Sequence, residues 1–131
     1  MPGIKKEAII ENITKHYQLK LLLLFGSRVS GKIHRESDYD IAYLSRRVLD
    51  LDEEGSLILD LLPIVKESDE RLINLVNIKK AMPLLLYAMT SRARVLYESE
   101  PTMFAKLRAY AFKKYIETKP LYEERVRRLS K

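Results

Sequence analysis

The sequence predicts a small α/β (α+β) domain in which helices pack on a small mixed β-sheet. Short apolar or alternating stretches, typical of strands, alternate along the chain with stretches of helical periodicity. The length of 131 residues matches one domain of common size. A hydrophobic content of 47% and a charged content of 32% are typical of a globular protein. We therefore expect a single domain over residues 1–131, with a core at 1–100 and a basic helical tail at 101–131.

The spacing of apolar residues predicts the first three elements. Residues 4–17 have apolar side chains at helical spacing with charges between them, which predicts an opening helix. Residues 20–25, KLLLLF, form a short continuous apolar run that ends at a glycine, which predicts a strand buried on both faces. Residues 38–44, DYDIAYL, alternate with a period of two, which predicts a strand with both aspartates on one face.

Turn and helix signals place the next three elements. Residues 51–67 begin with acids and predict a helix that ends near Pro63, because proline disfavours a helix interior. The stretch RLINLVNI at 71–78 predicts a third strand. Residues 82–92 predict a helix with Pro83 in its first turn, where a missing N–H costs little. We expect four apolar residues of this helix, and Leu96 after it, to lie in the core. The four helix residues are Leu84, Leu85, Leu86 and Met89.

The end of the chain is strongly basic. We expect a short edge strand at 94–98 and two basic helices, one at 101–118 and one from Pro120 onward. Residues 103–131 hold nine basic and three acidic residues, so the net charge of +6 comes entirely from this tail. The tail is either a contact surface for an acidic partner or nucleic acid, or a solvated helix face.

Composition also excludes several classes of protein. The chain has no cysteine, which excludes disulfides, thiolate zinc sites and a cysteine nucleophile. Its apolar runs are too short to span a bilayer, and its first residues do not resemble a signal peptide. We therefore expect a cytoplasmic protein that has no membrane partner.

A candidate anion site follows the first strand, in the stretch LFGSRVSGKIHRESDYD at 24–40. Gly26 allows a ligand to approach the backbone closely, and Ser27 can cap a helix and donate its hydroxyl to a phosphate. Basic side chains follow in the same stretch: Arg28, Lys32, His34 and Arg35. This composition suits the binding of a phosphate group. The simpler alternative is a plain turn at Gly26 and a helix cap at Ser27.

Asp38 and Asp40 lie two residues apart on a predicted strand, so their carboxylates project from the same face. Two like charges held together cost free energy unless a cation lies between them. Mg²⁺ prefers one or two carboxylates and completes its shell with water and substrate phosphates. The pattern therefore predicts nucleotidyl transfer, with a metal that bridges to a triphosphate. The alternative is that both are ordinary surface acids.

These residues resemble the motif GSx10DxD of the minimal nucleotidyltransferases (MNT) in the DNA-polymerase-beta-like superfamily. The resemblance extends beyond the motif residues Gly26, Ser27, Asp38 and Asp40 to residues 75–98 and 119–129. It implies a nucleotidyltransferase-like fold that binds ATP and one or two Mg²⁺ ions. It further implies an antitoxin of a HEPN/MNT toxin–antitoxin pair, which transfers AMP to a tyrosine of the HEPN ribonuclease toxin. The resemblance implies that Asp38 and Asp40 bind the metal. From the basic residues of the same stretch, we expect Arg28 or Lys32 to assist at the triphosphate.

One position departs from the family pattern. A third acid is usual in a stretch resembling DLVDL, whereas this chain has NLVNI, with Asn74 and Asn77 in those places. An amide can coordinate through its oxygen, but it brings no negative charge and cannot accept a proton from an attacking hydroxyl. Either a tyrosine acceptor needs little base, or another acid such as Asp69 or Glu70 reaches the site.

Two other functions remain as alternatives. The first is a non-catalytic antitoxin that masks the toxin with its tail. The second is a nucleic-acid-binding module, in which Tyr110, Tyr115 and Tyr122 of the tail stack on bases. The same tyrosines suit a protein interface. Because residues 1–102 carry no net charge, we do not expect direct nucleic-acid binding.

Overall fold

The computed structural model describes residues 6–26, 38–66 and 69–129. The candidate residues Ser27, Arg28, Lys32, His34 and Arg35 lie outside these ranges. In chain order the described elements are α1 (Lys6–Tyr17), β1 (Leu19–Phe25), β2 (Tyr39–Ser45), α2 (Leu51–Val65), β3 (Ile73–Asn77), α3 (Pro83–Ser91), β4 (Arg94–Glu98) and α4 (Met103–Leu129). Short 3-10 turns flank β3 at Glu70–Leu72 and Ile78–Lys80.

The strands form a mixed sheet in the order β3-β2-β1-β4. Strand β1 pairs antiparallel with both β2 and β4, whereas β2 and β3 are parallel. The prediction that β1 is buried on both faces is confirmed, because its side chains belong alternately to two hydrophobic clusters. Leu22 and Leu24 pack with α1 and α2 on one face, and Leu21 and Leu23 pack with α3 and α4 on the other. The sheet is therefore the middle layer of three.

Of the two predictions made at prolines, the one at Pro63 is confirmed and the one at Pro120 is wrong. Helix α2 ends at Val65, two residues past Pro63, and its C-cap Lys66 adopts the left-handed conformation. The buried side chain of Ile64 holds this last turn on the core. The tail is one continuous helix that includes Pro120, not two helices. A proline in a helix removes one backbone hydrogen bond, and α4 is long enough on either side of Pro120 to continue past it.

The expectation that the leucines of α3 are core residues is only partly correct. Leu86 and Met89 are buried, but Leu84 and Leu85 are 49% and 43% exposed. Successive residues of a helix point about 100° apart, so three consecutive leucines cannot all face the same sheet. The exposed pair leaves apolar surface on α3, beside α4.

Two buried tyrosines hold helix α2 against the rest of the domain. Tyr17 of α1 donates a hydrogen bond from its hydroxyl to Asp60 Oδ2 at 2.7 Å, and Tyr43 of β2 donates to Glu54 Oε2. Burial, together with these acceptors, raises the pKa of both tyrosines well above the ordinary value of 10.0. The pattern of alternating residues in β2 did not reveal these partners, because both acceptors lie on a separate helix.

Candidate active site

The predicted acids lie at one end of the sheet, where β1 ends and β2 and β3 begin. Phe25 is the register partner of Asp40 in the antiparallel pair, and Asp40 is the partner of Asn74 in the parallel pair. The three side chains therefore share one face of the sheet, the face that α3 and α4 cover. The prediction that the residues of β2 alternate between faces is met, since Ile41 and Tyr43 belong to the opposite cluster.

Gly26 directly follows β1 and makes room for the Asp40 carboxylate. Its φ angle is +81°, in the region that glycine adopts readily and other residues rarely do. A Cβ atom added at Gly26 would lie 2.1 Å from Asp40 Oδ2, far closer than two atoms can pack. Glycine is therefore favoured here for two reasons, the backbone conformation and the adjacent carboxylate, which any larger residue would displace.

Asn74 lies on the other side of Asp40. Its Nδ2 atom donates a hydrogen bond to Asp40 Oδ1 at a distance of 3.1 Å. Asp40 is thus confined between the Gly26 backbone and the Asn74 amide, one contact to each of its oxygens. Asp38 immediately precedes β2 and is exposed to solvent. The pair therefore consists of one fixed carboxylate and one solvent-exposed carboxylate.

The alternative acid Asp69 is already paired. Its Oδ1 and Oδ2 each accept a hydrogen bond from the Arg71 guanidinium at 3.0 Å, and Oδ1 also accepts from the Arg71 backbone N–H. Hydrogen bonds from the Arg71 side chain lower the pKa of Asp69 below its usual value. A carboxylate stabilised in its charged form in this way is a poor proton acceptor.

The donor set at this end of the sheet fits a magnesium ion. Within residues 6–26, 38–66 and 69–129, no three His, Cys, Asp or Glu side chains cluster closely enough to hold a metal by themselves. Mg²⁺ does not need such a cluster, because one or two carboxylates suffice when water and substrate phosphates complete its shell. Asp38 and Asp40 meet this requirement, so these two residues would hold the ion.

A second exposed surface, formed by α3 and α4, was not predicted as a unit. A groove of about 530 Å³ separates the start of α3 from the second half of α4. Tyr115 stacks on Tyr87 of α3 at 4.1 Å between ring centroids, so one face of its ring is already covered. The groove is lined by apolar and charged side chains: Met82, Pro83, Thr118, Leu121, Tyr122, Glu124, Arg125 and Arg128. We call this the α3–α4 groove.

Comparisons with known proteins agree with this geometry. Residues 7–102 match the family described as "Polymerase beta, Nucleotidyltransferase". No curated protein matches the chain. In the described part of the chain, no helix combines the length and the apolar character that crossing a membrane requires.

Solved structures with the same fold include three toxin–antitoxin structures. A chain from a toxin–antitoxin structure with AMP-PNP aligns with a TM-score of 0.75 at 20% identity, covering 98% of this chain and 100% of that chain. A chain of the MntA–HepT toxin–antitoxin aligns with a TM-score of 0.69 at 18% identity, covering 96% and 97%. A chain from a structure of a tri-AMPylated HEPN toxin of Shewanella oneidensis with an MNT antitoxin aligns with a TM-score of 0.70 at 18% identity, covering 96% of this chain and 97% of that chain. At this identity the likeness shows the fold.

Proposed function

Because the chain belongs to the polymerase-beta nucleotidyltransferase family, we propose that it is an antitoxin that transfers AMP from ATP to a tyrosine of a HEPN ribonuclease toxin. The observation that carries this proposal is the carboxylate of Asp40 against Gly26 at the end of a buried strand, with Asp38 two residues before it. The proposal is supported by toxin–antitoxin structures of the same fold, one with AMP-PNP and one with an AMPylated HEPN toxin. The pair would act in the cytoplasm.

The proposed reaction is a displacement at the α-phosphorus of ATP. The tyrosine oxygen of the toxin loses its proton to solvent and forms a bond to this phosphorus, the bond from phosphorus to the oxygen that bridges to the β-phosphate breaks, and pyrophosphate leaves. Bound Mg²⁺ would neutralise the charge that develops on the phosphates. Asp38 and Asp40 hold the ion, Gly26 and Ser27 bind the triphosphate, and the side chains of Arg28 and Lys32 assist there.

The test is the intact mass of the HEPN protein encoded beside this one, after incubation with the chain, ATP and Mg²⁺. We expect a gain of one or more AMP units with the wild type and none with Asp38→Asn. Asp52→Asn is the matched control, because it removes an exposed carboxylate from α2 and should leave the gain unchanged. No gain with the wild type, in the presence of a folded and bound partner, contradicts the proposal.

The α3–α4 groove favours a role in binding the toxin. It exposes Met82 and Leu121 at 65% and 68%, next to the Arg125 and Arg128 side chains. The excess positive charge of the chain lies on α4, so a complementary partner surface would be acidic with apolar residues at its centre. We propose that the HEPN toxin binds in this groove.

A second function, inhibition of the toxin by binding alone, is favoured by the amide at position 74. Asn74 provides neither the charge nor the proton acceptor that an acid would provide there. Under this alternative, Asp38→Asn neutralises the toxin as well as the wild type does. A toxin-neutralisation assay run with the mass measurement therefore separates the two functions.

A further inference from the structure

We infer that this site holds a single divalent cation, bound by Asp38 and Asp40, and that Asn74 orients Asp40 and does not bind the metal. The inference rests on the proposed nucleotidyltransferase site. It concerns how many ions the residues of this particular chain can hold, and what position 74 contributes to that number.

The contact between Asn74 and Asp40 assigns the role of the amide. Asn74 directs its Nδ2 atom toward Asp40 Oδ1 at 3.1 Å, and an amide nitrogen is a hydrogen-bond donor without a lone pair for a metal. The opposite side of the same carboxylate is against the Gly26 backbone. The Asp40 carboxylate is therefore held in one orientation by its neighbours, which is the usual task of side chains that surround metal ligands.

The charge at the site argues against a second ion. Two metal ions in a phosphoryl-transfer site lie about 3.5 to 4 Å apart. Like charges this close repel each other, and carboxylates are the negative ligands that the protein itself can place beside them. Asp38 and Asp40 supply two negative charges, and Asn74 supplies none. Of the two alternative acids named from the sequence, Asp69 has both oxygens engaged by Arg71, and Glu70 is exposed in the 3-10 turn before β3. Within the described residues, the donor set is sufficient for one ion.

A single ion has a consequence for the acceptor. In two-metal sites one ion activates the attacking oxygen and the other stabilises the leaving group. Without a second ion or an acid at position 74, the acceptor hydroxyl must lose its proton easily. A phenol, with a pKa of about 10, does so far more readily than an alcohol. The acceptor class that fits this site is therefore a tyrosine, not a serine or a sugar hydroxyl.

The test counts bound Mn²⁺ by equilibrium dialysis, with an ATP analogue whose α- and β-phosphates are joined by a methylene group. We expect one ion per bound analogue for the wild type and two for Asn74→Asp, which restores a carboxylate beside Asp40. Asn77→Asp is the matched control. It adds the same charge to the same strand three residues further on, where Asn77 Oδ1 accepts from the Lys79 N–H, and should leave the count at one.

A separate variant tests the orienting role. Asn74→Ala should keep the count at one and weaken Mn²⁺ binding by about tenfold or more, the usual effect of removing a hydrogen bond to a metal ligand. Because Asn74 is exposed at the end of the sheet, the melting temperature of the Asn74→Ala variant should stay close to that of the wild type. Two ions in the wild type, one ion in Asn74→Asp, or unchanged affinity in Asn74→Ala each overturn the inference.

These measurements do not depend on catalysis. If no AMP is transferred while the wild type binds one Mn²⁺ ion and Asn74→Asp binds two, the proposed function fails and the metal assignment stands. If AMP is transferred and the wild type binds two ions, the proposed function stands and the inference fails.

Discussion

Gly26 and Asp40 are in such close contact that a Cβ atom at position 26 would displace the Asp40 carboxylate. The Asp40 carboxylate occupies the space that a Cβ atom at position 26 would take, with Oδ2 2.1 Å from the ideal Cβ position. The glycine of the motif therefore has a role in this fold besides allowing a phosphate to approach. It lets a strand end and a charged side chain share one small volume, which fixes the carboxylate where the ligand is expected.

The first prediction is that Gly26→Ala impairs both stability and metal binding. The added methyl group must displace the Asp40 carboxylate, and the residue must keep a φ angle of +81°, which costs an L-residue about 1 to 2 kcal/mol. We expect a loss of this size in the free energy of unfolding, measured with urea, and weaker Mn²⁺ binding in the dialysis experiment.

Gly55→Ala is the control for this substitution. Gly55 lies in helix α2, is exposed, and has no atom within 4 Å of an added Cβ. Alanine favours a helix interior by about 0.5 to 1 kcal/mol over glycine, so this variant should be more stable than the wild type with unchanged Mn²⁺ binding. A Gly26→Ala protein that is as stable as the wild type and binds Mn²⁺ normally contradicts the close contact.

The sequence was informative about the sheet because periodicity reports burial directly. The continuous apolar run of β1 predicted a strand buried on both faces, and the alternation in β2 predicted that Asp40 and Ala42 face away from Ile41 and Tyr43; both predictions are confirmed. The hydrophobic pattern determines these features since a shift by one residue would move every side chain to the other face. The fold class and all four strands could therefore be predicted.

Features that depend on contacts between distant segments could not be predicted in this way. The approach of Asp40 to Gly26 depends on the pairing of β1 with β2, and the bond from Asn74 depends on the parallel pairing of β2 with β3. The continuation of α4 through Pro120 is also non-local. The helix has 27 residues, and the stability of its other turns offsets the hydrogen bond that is lost at the proline. Local proline rules therefore failed there.

The second prediction concerns the α3–α4 groove. Replacing Arg125 and Arg128 together with glutamate should lower the affinity for the HEPN toxin at least tenfold, because it places like charges against an acidic partner surface. The affinity of the wild type should fall as salt is raised, and that of the double variant should not fall as steeply. Titration calorimetry at two salt concentrations measures both effects.

A matched control is Lys6→Glu with Lys15→Glu on α1. These residues are exposed and belong to the helix layer on the opposite face of the sheet, so the variant has the same change in net charge at a different place. Its affinity for the toxin should stay within about twofold of the wild type, the range expected for surface charges away from an interface. Equal losses in both double variants would mean that net charge, not the α3–α4 groove, governs binding.

The third prediction concerns the two buried tyrosines that donate hydrogen bonds to α2, one from α1 and one from β2. Tyr17→Phe and Tyr43→Phe each remove a hydrogen bond to a carboxylate, on Asp60 or Glu54, and should each cost about 1.5 to 3 kcal/mol at pH 7. Tyr110→Phe is the control, because that ring is 53% exposed and lies on α4, and its loss should stay below about 0.5 kcal/mol.

The cost of the two buried substitutions should depend on pH. Burial raises the pKa of Tyr17 and Tyr43 in the folded protein above the value of 10.0 expected for the unfolded chain, so the neutral form is favoured on folding. Their contribution to stability is therefore fully present below about pH 10, and it is lost as the pH rises from there through the folded pKa. Urea unfolding at pH 7 and pH 11 should show the difference between wild type and each phenylalanine variant shrinking at the higher pH. A difference that stays constant over this range would mean that the hydroxyl groups titrate as they do in the unfolded chain.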